Sequence, residues 1–402
     1  MLELIESVAI DPLWAVANRL QRDTRPDVLD LVVGVYRDRS GATPVMGAVA
    51  EAERRLTENG LTKAYRGLSG NVEFNQLMTQ WVLGDVDVAS RAYAMQTIAG
   101  TGALRLLADF IASTTPSATV WLSSPSYVNH QPIMMRAGLR VRYYPYVNSD
   151  GCLDLDGMLA AFECAEAGDV VLIQGCCHNP TGVDLSDAAW VAVTDTILKK
   201  RLLPLVDIAY VGLGDGIDAD LAGLRYMIAR VPEALVAVSC SKNFGLYCER
   251  AGCCIVVGSS GAVARAASPI LESIARVNYS MPPDHGSAVV AAILSDVNLR
   301  EMWVTELDGM RSHIRENRVA LGLAFGAEVS KALQSVAHHR GMFSLLPLSK
   351  SQMNSLAEHF GIYGTTSGRI NVAGIRPIDV ERIANAILRV DRLHVRAIQQ
   401  QS

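Results

Sequence analysis

Between about residue 90 and residue 258, short apolar runs alternate with longer stretches of helical period, the pattern of an α/β fold. The strand candidates are 92–98 (AYAMQTI), 119–124 (TVWLSS), 140–147 (RVRYYPYV), 169–175 (DVVLIQG), 202–210 (LLPLVDIAY), 234–240 (ALVAVSC) and 252–258 (GCCIVVG). Several lack polar alternation. A strand that is apolar on both faces suits a parallel sheet covered on both sides, and segments such as GALRLLADFIAST and SDAAWVAVTDTILKKR supply the covering helices. The pattern predicts one sheet of about seven strands, mostly parallel.

After Gly258 the pattern turns mainly helical, and one long amphipathic stretch over 285–325, carrying Leu294, Leu299, Trp303, Leu307, Met310 and Ile314, reads as a connector. Beyond it, short strand candidates (GMFSLLP, GRINVAG) mix with helices, which predicts a smaller α+β domain. The composition agrees: 402 residues, 50% hydrophobic and 19% charged, exclude a disordered chain. The net charge of -5 excludes a broad basic surface for nucleic acid or anionic lipid, so any anion must be met by a few placed groups. Mean hydropathy is +0.20, yet no uninterrupted apolar span of about 20 residues occurs. Glu3 and Glu6 stand where a signal peptide carries basic residues, so a cytoplasmic protein is expected. The eight cysteines form neither a disulfide framework nor a CxxC metal pattern, and buried thiols are expected. Neighbours on a strand point to opposite faces, so Cys176, Cys177 and His178 are not expected to share an ion, and no metal site is assigned.

In open α/β sheets ligands gather where strands end and helices begin. The turn after 234–240 reads Ser239-Cys240-Ser241-Lys242, followed by Arg250. A partly buried lysine has a lowered pKa, and its neutral amine can form a Schiff base with an aldehyde. The two hydroxyls and the guanidinium are a phosphate-holding set, and Gly100-Thr101-Gly102 opens a helix whose amides add an anion seat. Asp207 and Tyr210 stand at the end of another strand, where the carboxylate either caps a helix or pairs with a protonated ring nitrogen.

These turns, with GVYRDRSGATPV, TKAYRGLSG, AGTGALR, GCCHNPTG, SKNFGLYCER, RVNYSMPPDHG and SGRINVAG in that order, resemble the aspartate and aromatic amino acid aminotransferases, fold-type I pyridoxal 5'-phosphate enzymes. The resemblance implies an N-terminal arm over 1–10, a small domain from 11–43 and 310–402, and a large cofactor domain over 44–309. It implies that Lys242 is the Schiff-base lysine and proton carrier, that Asp207 meets the pyridine nitrogen, and that Asn179 and Tyr210 meet the ring's phenolic oxygen. Gly100, Thr101, Ser239, Ser241 and Arg250 would hold the phosphate, with Tyr65 arriving from the second subunit of a homodimer. Tyr127 would lie on the ring, beside Asn129 and His130. Arg369 would clamp the substrate's α-carboxylate near Gly34 and Asn179, and Arg276 would cross from the other subunit to a distal acid group.

The chain departs from the family at Tyr127, where a tryptophan is usual, at Gln174, where a histidine is usual, and at Ala64 and Met281, which replace asparagines. The reading is an aminotransferase passing the amino group of an acidic or aromatic L-amino acid to 2-oxoglutarate or oxaloacetate by ping-pong kinetics. Three alternatives stay open: a lyase or decarboxylase on the same scaffold, a transaminase for a sulfonate, phosphonate or secondary-metabolite amino acid, and a non-catalytic cofactor-binding regulator.

Overall fold

The computed structural model describes residues 12–60, 62–327 and 329–399. The arm expected over 1–10 lies outside the described residues. A two-residue strand, β1 (Leu29–Asp30), precedes the large sheet and pairs elsewhere. The seven apolar runs become β2 (Ala92–Ile98), β3 (Thr119–Ser124), β4 (Arg140–Pro145), β5 (Val170–Gln174), β6 (Leu203–Ile208), β7 (Ala234–Ser239) and β8 (Ala251–Val257). They form one sheet in the order β2-β8-β7-β6-β5-β3-β4, parallel except that β8 runs antiparallel to both its neighbours.

Every residue of β5, β7 and β8 is buried, which is why these runs carry no polar alternation. The edge strand β4 is mostly exposed, and Arg140 and Arg142 blunt it against further pairing. The covering helices are locally well specified. In Asp187–Lys200 the Ser186 side chain accepts the Ala189 N–H, Asp187 sits in the first turn and Lys199 and Lys200 in the last, all favourable to the helix dipole.

The single amphipathic stretch expected over 285–325 is two helices, His285–Ser295 and Val297–Phe325. Asp296 separates them, because its extended backbone ends the first helix while its carboxylate caps the Asn298 and Leu299 N–H groups of the second. The second helix spans two cores. Trp303, Leu307 and Ile314 pack with the large sheet, whereas Leu321 and Phe325 join a smaller cluster with Leu346, Ile370 and Ile383. That smaller body contains β9 (Phe343–Leu345) paired antiparallel with β11 (Arg369–Asn371), and β10 (Ile362–Tyr363) paired parallel with β1. No helix among the described residues is long and apolar enough to cross a membrane.

Candidate active site

The C-terminal ends of β5, β6 and β7 open into a cavity of about 290 Å³, lined by Gly34, Gly100, Thr101, Tyr127, Asn179, Asp207, Tyr210, Ser239, Ser241, Lys242 and Arg250. These eleven residues and Gln174, all singled out in the sequence, thus converge on one space. Lys242 stands three residues beyond the end of β7 and is half-buried. Loss of solvent around its amine lowers its pKa to about 8, with Arg250 and Arg369 adding to the effect and Asp207 opposing it. Its Nζ lies 5.0 Å from the centroid of the Tyr210 ring. At pH 7 about a tenth of this amine is therefore neutral and nucleophilic, far more than for a free lysine.

Asp207, at the end of β6, is held by His130, whose Nε2 lies 3.0 Å from Asp207 Oδ2. Ser126 Oγ lies 2.8 Å from His130 Nδ1, so the ring is held between the hydroxyl and the carboxylate. Across the cavity the helix Ala99–Thr114 begins with no side-chain cap, its Ala99 N–H donates to the Arg250 carbonyl at 2.9 Å, and Gly100 and Thr101 of its first turn line the cavity with Ser239 and Ser241. Ser239 Oγ donates to Ser241 Oγ at 3.1 Å, and Arg250 Nη1 donates to Ser241 Oγ at 3.3 Å. Gly252 makes this geometry possible, since a Cβ there would stand 2.4 Å from the Val238 carbonyl oxygen and 2.7 Å from Ala99 C.

Arg369 is buried over the Phe343 ring, its Cζ 4.4 Å from the ring centroid. Nη1 donates to Asn179 Oδ1 at 3.3 Å and Nη2 to the Val32 carbonyl at 2.8 Å, whereas Nε has no partner. Gly34 closes this wall because a Cβ there would approach Phe343 Cζ to 2.6 Å. Asn179 Nδ2 also donates to Tyr210 Oη at 3.3 Å, so one side chain joins the tyrosine to the arginine.

Gln174 fixes that side chain through its backbone. Its Oε1 accepts the Asn179 N–H at 2.8 Å and its Nε2 donates to the Asn179 carbonyl at 2.9 Å. Gln174 therefore acts as a positioning residue, and its replacement of a histidine keeps an ordered turn. Gln174→Leu is expected to lower kcat/KM about tenfold, equivalent to about 1.4 kcal/mol, for every substrate, with unchanged far-UV circular dichroism. Steady-state kinetics on two unlike amino acids check it, and a loss confined to one of them would assign Gln174 to side-chain selection instead.

Tyr65, Arg276, Ala64 and Met281 do not join the cavity of their own chain. Tyr65 is 93% exposed, and with Ala64 and Met281 it lines a separate hollow of about 810 Å³. Arg276 is exposed on the helix Ser268–Asn278, with no hydrogen bond or ion pair among the described residues. Sequence reading missed Tyr247, which lines the cavity and whose hydroxyl accepts the Tyr36 N–H at 2.9 Å, tying the Gly34 loop to the lysine turn. Its place between Lys242 and Arg250 was the available signal. Phe343 was missed as well, since only the fold brings it beneath Arg369.

A lysine poised for Schiff-base chemistry, a carboxylate facing it and an anion seat define a pyridoxal-phosphate site. Residues 26–387 match the family "Aminotransferase class I and II". The chain is 45% identical over 386 residues to the tyrosine aminotransferase of Rhizobium meliloti, covering 96% of this chain and 98% of that one. It is 40% identical to the aspartate aminotransferase of Escherichia coli, covering 97% of this chain and 100% of that one. The crystal structure of an aromatic-amino-acid aminotransferase from Burkholderia pseudomallei, covalently bound to pyridoxal phosphate, superposes with a TM-score of 0.93 at 38% identity, covering 97% of this chain and 99% of that one. This chain belongs to the class I and II aminotransferase family. It is a pyridoxal-phosphate-dependent aminotransferase of fold type I, and the Gly100-Thr101 helix start, the hydroxyl pair with Arg250 and the Lys242 amine of lowered pKa fit that cofactor.

Proposed function

We propose that this enzyme works as a homodimer that moves amino groups between acidic or aromatic L-amino acids and a 2-oxo acid such as 2-oxoglutarate or oxaloacetate, in two half-reactions. The observation that carries the reading is Lys242, its pKa lowered, in one cavity with Asp207, with Arg369 at its wall. Pyridoxal phosphate, when bound, supplies an aldehyde and a conjugated ring that takes up the electron pair left by a departing Cα proton. Lys242 Nζ is the group placed to hold and move that proton. Asp207, oriented by His130, presents a carboxylate for a protonated ring nitrogen, and Tyr210 and Asn179 offer an O–H and an N–H to a phenolic oxygen. Gly100, Thr101, Ser239, Ser241 and Arg250 seat the phosphate.

Arg369 takes the α-carboxylate beside Gly34 and Asn179, and Tyr127 forms the remaining wall, its hydroxyl accepting from Asn129 Nδ2 at 3.2 Å. Tyr65 and Arg276 serve the neighbouring subunit's site, a role that accounts for their exposure in a single chain. The same reading divides the chain into a large domain over 44–309 and a small one from 11–43 and 310–402. Similarity to both tyrosine and aspartate aminotransferases supports the pairing of aromatic with acidic donors.

The test is a half-reaction panel: purified holoenzyme is mixed with each amino acid, and bleaching of its visible absorbance is followed with and without a 2-oxo acid. Bleaching by aspartate, tyrosine or phenylalanine that a 2-oxo acid reverses supports the reading. Steady turnover without any acceptor would replace it with a lyase. Arg276→Ala is expected to cut kcat/KM for aspartate about 100-fold or more while changing tyrosine by less than about threefold, since only a distal carboxylate loses its partner. Equal losses for the two donors would remove that role from Arg276.

A further inference from the structure

The two adjacent thiols after β5 do not point apart as a strand would require. Cys177 takes a left-handed backbone, φ 53°, and its N–H donates to Asp184 Oδ2 at 2.8 Å while the His178 N–H donates to Asp184 Oδ1 at 3.0 Å. Turned this way, the sulfurs of Cys176 and Cys177 and a carboxylate oxygen of Asp220 all lie within 4.8 Å of one another, and all three residues are buried. Asp220 is held rigidly, since Oδ2 accepts the Gly212 and Gly214 N–H groups at 2.8 and 3.0 Å and Oδ1 accepts the Asp215 N–H at 2.8 Å. The Tyr210 carbonyl oxygen, which accepts the Leu213 N–H at 3.0 Å, also stands 3.8 Å from Cys177 Sγ and has a second lone pair to offer.

We propose that Cys176, Cys177 and Asp220, with the Tyr210 carbonyl, form a binding site for one soft divalent cation of the Zn²⁺ or Cd²⁺ kind, and that its occupancy inhibits the enzyme. Two thiolates select such ions over Mg²⁺ or Ca²⁺, and two oxygens complete a tetrahedral set. A tetrahedral ion with bonds of about 2.0–2.3 Å brings its ligands to roughly 3.3–3.8 Å from one another, so atoms standing within 4.8 Å of one another close by at most about 1.5 Å as the ion enters. The charge balance is favourable. Each thiol releases its proton to solvent as the ion binds, so two positive charges leave as two arrive, and the buried cluster keeps the net charge it had.

The contraction reaches the active site at two points. Tyr210 supplies both the carbonyl at the ion and the hydroxyl near Asn179, and Asn179 follows Cys177 by two residues on the turn that Gln174 clamps. The effect on turnover rests on the place of Tyr210 and Asn179 in the reaction proposed above. Retention of the ion does not, so the two can fail separately.

The experiment uses thiol-reduced holoenzyme in which the exposed Cys152, Cys164 and Cys248 are replaced by serine. Cd²⁺ alone is added, free ion is removed by dialysis, and bound metal is measured by elemental analysis together with the sulfur-to-cadmium charge-transfer absorbance. The expected result is one ion per chain, transamination falling in proportion to occupancy and returning with chelator. Cys176→Ser in the same background should weaken retention at least 100-fold and protect activity, with Cys176→Ala used if serine impairs folding. No retained ion, or equal retention after Cys176 is replaced, overturns the site. Retention with unchanged turnover overturns the inhibition.

Discussion

Replacing Lys242 with methionine is expected to abolish transamination, by at least about 10⁴-fold, while making the cofactor-free protein more stable at pH 7. The two effects share one cause. Lys242 is half-buried just beyond the end of an apolar strand, and loss of solvent around its amine lowers its pKa from 10.5 to about 8. A lowered folded-state pKa means that the unfolded chain holds the proton more tightly than the folded one, so the charged lysine opposes folding. That cost is fully present below about pH 8, where both states are protonated, and it disappears as pH rises to 10.5, where neither is. The difference corresponds to about 3 kcal/mol in the limit of no relaxation. Methionine is similar in length and carries no charge. Urea unfolding of the two cofactor-free proteins should show the variant ahead at pH 7, with the gap closing between pH 8 and 10.5. A gap that does not change with pH would mean that the lysine is not destabilised by burial, and near-normal turnover in the variant would remove Lys242 from the reaction.

How much of this was legible beforehand differs with the physics of each feature. The seven strands were readable because residues such as Val171, Val236 and Ile255 are buried on both faces, and that demand leaves a run without polar alternation. The convergence of Lys242, Asp207 and Gly100 was readable once those strands were ordered, because parallel strands deliver their ends to one edge. The break at Asp296 was hidden because apolar residues recur at helical spacing on both sides of it, and a single capping carboxylate interrupts the chain without interrupting the pattern. The left-handed Cys177 was invisible for a different reason. Its conformation is fixed by Asp184, seven residues on, which gathers two consecutive N–H groups. Gln174 was legible only as a departure from a usual histidine, and the structure makes it a two-bond clamp whose partner is a backbone. The negative net charge excluded a general basic surface, and the cations that matter, Arg250 and Arg369, are individually seated.

Arg369→Lys should lower kcat/KM about 10²- to 10³-fold for aspartate and tyrosine alike, a loss of about 3–4 kcal/mol. The guanidinium is buried, its pKa is lowered by that burial, and the groups that raise it again are tyrosines, with no carboxylate among them. Its hydrogen bonds go to neutral oxygens of Asn179 and Val32, and Nε is left without a partner. A buried cation without a counter-charge is costly unless the anion that balances it arrives with the substrate. The α-carboxylate is the one anion that every amino acid brings, so the loss should not depend on the side chain. Lysine keeps the charge but loses the planar fork and its stacking on Phe343, which separates bidentate recognition from simple attraction. Steady-state kinetics with both donors decide the matter: a penalty confined to aspartate would place Arg369 at the distal acid group, and equal activity in the lysine variant would show that charge alone suffices.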